Sequence, residues 1–357
     1  MRIIGIDLGK REAEYAEVNT AGQRLGGVRF AADRDGFTSL FGITDESGVP
    51  NEARKARILV EAGTTSRWVA PLLRQLGHTV VVADPNFQPM YVDHRSKRKK
   101  TDKRDALTLA VALLKENFRE SHERSEAEFV RATNVYTRAR LVRTRSRHCA
   151  AIRNIFLSFG IILKRCEPHK LPEAALKQLS QVSPEAHLAI KTEIETVTFL
   201  SRRIAKVDAR LEKEAKGDTR IRRLRTIPGV GTVTATTFVA IIDEPKRFRN
   251  GHELASHLGL VPSMSCSGDK QQVGGITKMG PKYLRTSLVK ASWATWKSKT
   301  AESARLRAWA RRVAKRHGSK KLAVVALARK LAGVMLSMWK NEQDFRGPTA
   351  EEALLLE

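Results

Sequence analysis

The sequence predicts an α/β domain built on a mixed sheet, then a long helical arm, then a mostly helical second domain. Three observations carry this reading. Short strand-like runs bounded by turns fill the first 85 residues, helical periodicity dominates from about residue 121 to 215, and a Pro-Gly turn introducing a β-branched and alanine-rich segment opens the rest. A chain of 357 residues is long enough to bury two separate cores.

Residues 2–8 read as a buried strand ending at Asp7. Residues 13–18 and 24–30 read as the second and third strands, separated by the turn-like Asn19-Thr20-Ala21-Gly22. Residues 57–61 form a fourth strand ending at Glu61. A helix from about Ser66 to Leu76 stops at Gly77, the usual residue at a helix C-terminus. Residues 78–83 form the fifth strand. Three short strands followed by strand–helix–strand is the order of a ribonuclease-H-like sheet, although pattern alone also fits other α/β folds.

A basic stretch follows, with Arg95, Lys97, Arg98, Lys99, Lys100, Lys103 and Arg104, and leads into an apolar helix from Ala106 to Leu114. From Arg131 to Arg153 there are seven arginines and no acid, and Arg140, Arg143 and Arg147 share one helical face. Residues 185–215 predict a second long helix. Its apolar positions Ile190, Ile194, Val197, Leu200, Ile204, Val207 and Leu211 recur with a mean step of 3.5, the coiled-coil value. The two long helices can pair within one chain or between two; a stripe joining subunits is the expectation for an oligomer. A second domain starts near Gly217. The expected division is 1–118, 119–216, 217–345 and a tail, 346–357.

Charge bounds the function. There are 65 Lys plus Arg against 38 Asp plus Glu, a formal charge of +27. Such a chain calls for a polyanionic partner, nucleic acid first. A membrane surface is disfavoured, because no apolar run is read as approaching the roughly 20 residues that span a bilayer. Cys149, Cys166 and Cys266 are odd in number and lack metal-ligand spacing, which suggests free thiols in a reducing cytoplasm.

Asp7 and Glu61 end strands, where ligands of open α/β sheets gather. Asp102 and Asp105 stand three apart at a predicted helix start, so both carboxylates share one face. Four oxygen-bearing groups suit hard divalent cations. The plainer reading is a turn residue at Asp7 and helix capping at Asp102 or Asp105.

The order Gly-Ile-Asp7-Leu-Gly-Lys, Val-Glu61-Ala-Gly and Lys100-Thr-Asp102-Lys-Arg-Asp105-Ala resembles the DEDD transposases of bacterial insertion sequences. Their N-terminal domain resembles the RuvC Holliday-junction resolvase. The resemblance implies that Asp7, Glu61, Asp102 and Asp105 are the metal ligands, for Mg²⁺ or Mn²⁺.

Ile227-Pro228-Gly229-Val230-Gly231 looks like the turn of a helix–hairpin–helix element, with Gly229 and Gly231 letting backbone N–H groups approach a phosphate. An ordinary Pro-Gly turn is the alternative. Further on, Gly259-Leu-Val-Pro262, Ser267-Gly268 and Ile276-Thr-Lys278-Met-Gly280 read as a loop region. The resemblance extends to this segment, whose serine before glycine is the family's proposed nucleophile; that role falls on Ser267. Lys270 and Lys278 are placed near the phosphate by chemical inference, and Lys282 and Arg285 are further candidate nucleic-acid contacts.

The resemblance implies cutting and rejoining of donor and target double-stranded DNA through a phosphoserine ester. It also implies a noncoding bridge RNA as guide, and a dimer or tetramer sharing composite sites. The setting implied is a bacterial cytoplasm, at the nucleoid when DNA is bound. Three other functions compete: a metal-dependent nuclease using water, an actin-like or sugar-kinase ATPase, and a non-enzymatic nucleic-acid-binding protein. The ATPase lacks a later Asp-x-Gly pair for nucleotide phosphates, and the binding protein leaves the carboxylates idle.

Overall fold

The computed structural model describes residues 1–44, 51–91, 101–267 and 270–355, with backbone alone for 265–267 and 270–273. It divides into two compact units, Met1–Glu123 and Arg124–Glu357.

The first unit is a mixed sheet covered on both faces. Its strands are β1 (Arg2–Leu8), β2 (Glu12–Val18), β3 (Arg24–Gly26) and β4 (Arg29–Ala31), followed by α1 (Arg34–Phe41), β5 (Ala56–Glu61), α2 (Ser66–Gln75) and β6 (Thr79–Ala83). A 3₁₀ turn, Gln88–Tyr91, and α3 (Asp102–Leu114) complete it. The sheet order is β3-β2-β1-β5-β6, with β4 also on β2. β1 is antiparallel to β2 and parallel to β5, which is parallel to β6.

Alternation sorts the side chains. Ile4, Ile6, Ile58 and Val60 pack with Phe37, Phe41 and Leu73 of α1 and α2. On the other face Leu59 and Val81 pack with Leu109 and Leu113 of α3. The expected single strand over 24–30 is broken in two. Gly27 has φ +153°, and a Cβ there would lie 2.2 Å from the Tyr15 carbonyl oxygen, so the chain jogs as it passes β2.

The second unit begins with α4 (Glu126–Ser158), the short α5 (Leu171–Leu176) and α6 (His187–Gly217). α4 and α6 run antiparallel within one chain: Arg138 meets Asp208, Arg145 meets Ser201 and His148 meets Glu193. The 3.5-residue stripe is spent inside this hairpin. Ile190, Ile194, Val197, Leu200, Ile204 and Leu211 are all buried in the single chain, which corrects the expectation that the stripe joins subunits.

Then come α7 (Thr219–Leu224), α8 (Thr232–Ile242), α9 (Gly251–His257), a two-stranded hairpin of β7 (Pro262–Ser267) and β8 (Lys270–Ile276), α10 (Lys282–Lys297), α11 (Ala304–His317), α12 (Lys320–Lys340) and α13 (Ala350–Leu354). Their shared core holds Phe238, Leu254, Leu288, Leu327, Leu331 and Met335. Contrary to the sequence expectation, one helix, α12, is long and apolar enough to cross a membrane. Half of it is buried in this core, as the central helix of a globular unit is. Cys149 and Cys166 are free thiols.

Candidate active site

The carboxylate end of the first unit is set by one close approach. A Cβ at Gly5 would lie 2.2 Å from the Ala110 nitrogen and 2.3 Å from the Ala106 oxygen, so only glycine lets α3 lie directly on β1. The contact carries the first turn of α3, with Asp102 and Asp105, along with the central strand. Thr101 is the N-cap of this helix, so neither aspartate serves as the cap. On the sheet, Ile6 pairs with Val60, and Asp7 and Glu61 follow them by one residue on adjoining parallel strands.

Each acid whose contacts can be described has a local partner. Tyr91 Oη donates to Glu61 Oε1 at 2.6 Å. Burial, and after it Glu61, Asp105 and Asp84, push the Tyr91 hydroxyl above its ordinary range. Arg29 Nη2 donates to Asp102 Oδ2 at 2.9 Å, and its Nε lies 3.5 Å from Glu14 Oε2. Glu14 is only 7 % exposed and is the cross-strand register partner of Asp7. Like charges opposite one another repel, and Arg24 and Arg29 offset Glu14. Sequence reasoning missed Tyr91, Glu14 and Arg29; strand alternation offered no sign that three residues so far apart meet the acids.

Among the described residues, no three His, Cys, Asp or Glu are gathered closely enough to hold a metal ion. Glu61 and Asp102 are engaged by Tyr91 and Arg29 instead. The donor set is nonetheless all hard oxygen, which fits Mg²⁺ or Mn²⁺.

The cations expected to contact nucleic acid divide sharply. Arg95, Lys97, Arg98, Lys99 and Lys100 lie outside the described residues, while Lys103 and Arg104 are exposed on α3. In the second unit Arg140, Arg143 and Arg147 are exposed along α4, whereas Arg131, Arg138 and Arg145 turn inward to acids or hydroxyls.

The Pro-Gly turn joins α7 to α8, the predicted helix–hairpin–helix order. Gly229 has φ +92°, and a Cβ there would lie 2.5 Å from Thr295 Oγ1, so packing against α10 accounts for that glycine. Gly231 stands open at the α8 N-terminus with no side-chain cap.

The expected loop around the serine is a β-hairpin whose backbone register pairs Ser267 with Lys270; Gly268 and Asp269 lie outside the described residues. Its base is clamped. Gly259 has φ +63°, and a Cβ there would lie 2.1 Å from the Met279 oxygen; Gly280 has φ +82°, and one there would lie 1.9 Å from the His257 oxygen. Arg285 corrects its expected role as a phosphate contact. It is buried, and its Nη1 donates to the carbonyls of Leu258 at 2.8 Å and Met279 at 3.1 Å, so it holds the hairpin base. Lys278 is exposed at φ +58°, a costly conformation for lysine held by its N–H on the Gly259 oxygen at 3.1 Å. Lys282 is exposed at the α10 start.

Residues 4–160 match a DEDD transposase profile of the IS110 type, and residues 221–308 match the Transposase IS116/IS110/IS902 family. The chain belongs to this transposase family. It is 29% identical to a probable family 20 transposase of Pseudomonas aeruginosa over 81% of the chain and 85% of that relative. It is 28% identical to a putative transposase, y4pF/y4sB, of Sinorhizobium fredii over 96% and 85%. It is 27% identical to the transposase for insertion sequence element IS1328 of Yersinia enterocolitica over 93% and 95%. This insertion-sequence transposase is therefore an enzyme acting on DNA, and its DEDD domain points to divalent-metal use.

Proposed function

We propose that this transposase cuts and rejoins DNA through a covalent serine ester, with Ser267 as nucleophile and Asp7, Glu61, Asp102 and Asp105 holding Mg²⁺ or Mn²⁺. The observation that supports it most is the carboxylate end itself: Asp7 and Glu61 follow a paired position on neighbouring strands, and the helix whose first turn carries Asp102 and Asp105 lies directly on β1 at Gly5. When bound, the cation would offset charge on the scissile phosphate and lower the pKa of an oxygen beside it.

Ser267 Oγ attacks phosphorus as its proton is lost. A P–O bond to one strand end breaks, and that oxygen gains a proton. Rejoining is the reverse attack by a hydroxyl of another strand on the phosphoserine, which conserves the bond energy and needs no ATP. Carboxylates of one subunit and the serine of another, within a dimer or tetramer, would compose each site.

A noncoding RNA supplied by the element guides the choice of donor and target. The +27 charge and the exposed Arg140, Arg143 and Arg147 support a second polyanion besides DNA. Removing bound RNA by nuclease should abolish recombination, and adding back the transcript flanking the gene should restore it. The covalent step is tested by denaturing electrophoresis of protein with labelled DNA. Wild type should give an adduct, and Ser267→Ala should bind DNA yet give neither adduct nor recombinant. Nicking by Ser267→Ala at the wild-type rate would instead favour a nuclease that uses water.

A further inference from the structure

Glu61 ends β5 with one oxygen already engaged. Tyr91 Oη lies 2.6 Å from Glu61 Oε1 and 3.4 Å from the Pro85 carbonyl oxygen. An ionised carboxylate only accepts, so the phenol donates, and at these distances its single proton goes to Glu61.

The phenol is held by a rigid frame. Asp84, directly after β6, accepts from the Asn86 N–H at 2.9 Å and is held in turn by Arg119. Asn117 Nδ2 donates to the Pro89 oxygen at 2.7 Å. Met90 is 4 % exposed, in the same core as Leu109 and Leu113 of α3. The turn Gln88–Tyr91 is thus fastened to β6 on one side and, on the other, to α3, the helix that carries Asp102 and Asp105.

We infer that Tyr91 is a positioning residue of the carboxylate site: its hydroxyl holds Oε1 of Glu61, fixes the carboxylate plane and leaves Oε2 directed to the cation. The inference rests on the proposed reading of Glu61 as a metal ligand. A free carboxylate at a strand end rotates about its last side-chain bond, and a fixed plane removes that freedom before the cation arrives. Hydrogen bonds of this outer kind change metal affinity or activity about 10–100-fold.

The test uses the full-length protein and Mn²⁺ as probe, with binding read from the electron paramagnetic resonance signal of the free ion. Tyr91→Phe keeps the ring and removes the hydroxyl alone. It should weaken Mn²⁺ binding about 10-fold and move the Mn²⁺ midpoint of DNA cleavage by the same factor. DNA affinity and Tm should match wild type. An unchanged Mn²⁺ curve overturns the inference, and so does a lowered Tm with an unchanged Mn²⁺ curve. Glu61→Gln separates the two levels of the argument. If Glu61→Gln loses Mn²⁺ while Tyr91→Phe does not, the Tyr91 role alone falls. If Glu61→Gln binds Mn²⁺ as wild type does, the ligand reading of Glu61 falls and the inference with it.

Discussion

The carboxylate end of the first unit and the serine hairpin of the second solve the same problem of placement in opposite ways. Every acid of the first sits on a strand or a helix of the core, and the close approach at Gly5 lets α3 lie directly on the sheet. The serine of the second ends one strand of a two-stranded hairpin that, among the described residues, is clamped at its base by Gly259, Gly280 and Arg285. Chemistry at the acids therefore depends on which groups stand there. Placement of the serine depends on backbone contacts several residues away.

The largest expected effects break this contrast at the acids. Asp7→Asn or Glu61→Gln should reduce cleavage by more than about 100-fold, since outer hydrogen-bond partners alone cost about 10–100-fold. Tm should hold for Glu61→Gln and hold or rise for Asp7→Asn, because Glu14 stands directly across from Asp7 on β2 and removing one of two like charges relieves repulsion. A variant that cleaves at the wild-type rate removes its residue from the site.

At the hairpin the losses should appear as stability instead. Gly259→Ala and Gly280→Ala each force a left-handed conformation and a Cβ into a backbone carbonyl. Each should cost about 2–4 kcal/mol in denaturant unfolding, from strain and overpacking together. Arg285→Met leaves the Leu258 and Met279 carbonyls without their charged donor and should cost about 1.5–3 kcal/mol. If Arg285→Met unfolds like wild type but loses DNA affinity, the arginine contacts phosphate after all.

The exposed face of α4 should behave in the converse way. Replacing Arg140, Arg143 and Arg147 by Gln should leave unfolding unchanged and make the salt dependence of nucleic-acid affinity shallower. If all three meet duplex phosphates, the slope of log K on log salt falls by about 2.7, at about 0.9 per contact. An unchanged slope would show that this face meets solvent only.

What was legible in the sequence follows the same division. β1, β5, α2, β6 and α3 were readable because apolar alternation and a Gly77 stop are local signals, and Asp7 and Glu61 stand at strand ends that those signals define. The break at Gly27 was not readable, because it is caused by a carbonyl on another strand. The partner of the α6 stripe was not readable either: a 3.5-residue period looks the same against one's own chain as against a second. Arg285 was read as a phosphate contact because a buried arginine and an exposed one are the same letter. Tyr91 was missed for a similar reason, since its hydroxyl finds Glu61 through a core formed by Met90, Leu109 and Leu113.

The smallest predicted effect tests whether the frame of the first unit is as closed as its acids require. His78 is 6 % exposed, directly before β6. Its Nδ1 accepts the Ala56 N–H at 3.1 Å, and its Nε2 lies 2.7 Å from the Phe41 carbonyl oxygen and so carries the proton. Protonation at Nδ1 would set two N–H groups against each other, and burial, the largest cause, lowers the His78 pKa from its ordinary value of 6.5. A histidine whose folded pKa lies below its unfolded one binds more protons when unfolded, so stability rises with pH over that interval. The contribution is fully present above about 6.5, the unfolded value, and is lost as pH falls from there toward the lower folded value. Denaturant unfolding of wild type at pH 7.5 and at pH 5.5 should therefore show a lower stability of the first unit at pH 5.5. His78→Gln should lose about 1 kcal/mol at pH 7.5, for its imperfect hydrogen bonds. It should also lose part of the difference between the two pH values. If His78→Gln keeps the whole wild-type difference, the acid sensitivity belongs to other groups, and His78 is a packed side chain without electrostatic consequence.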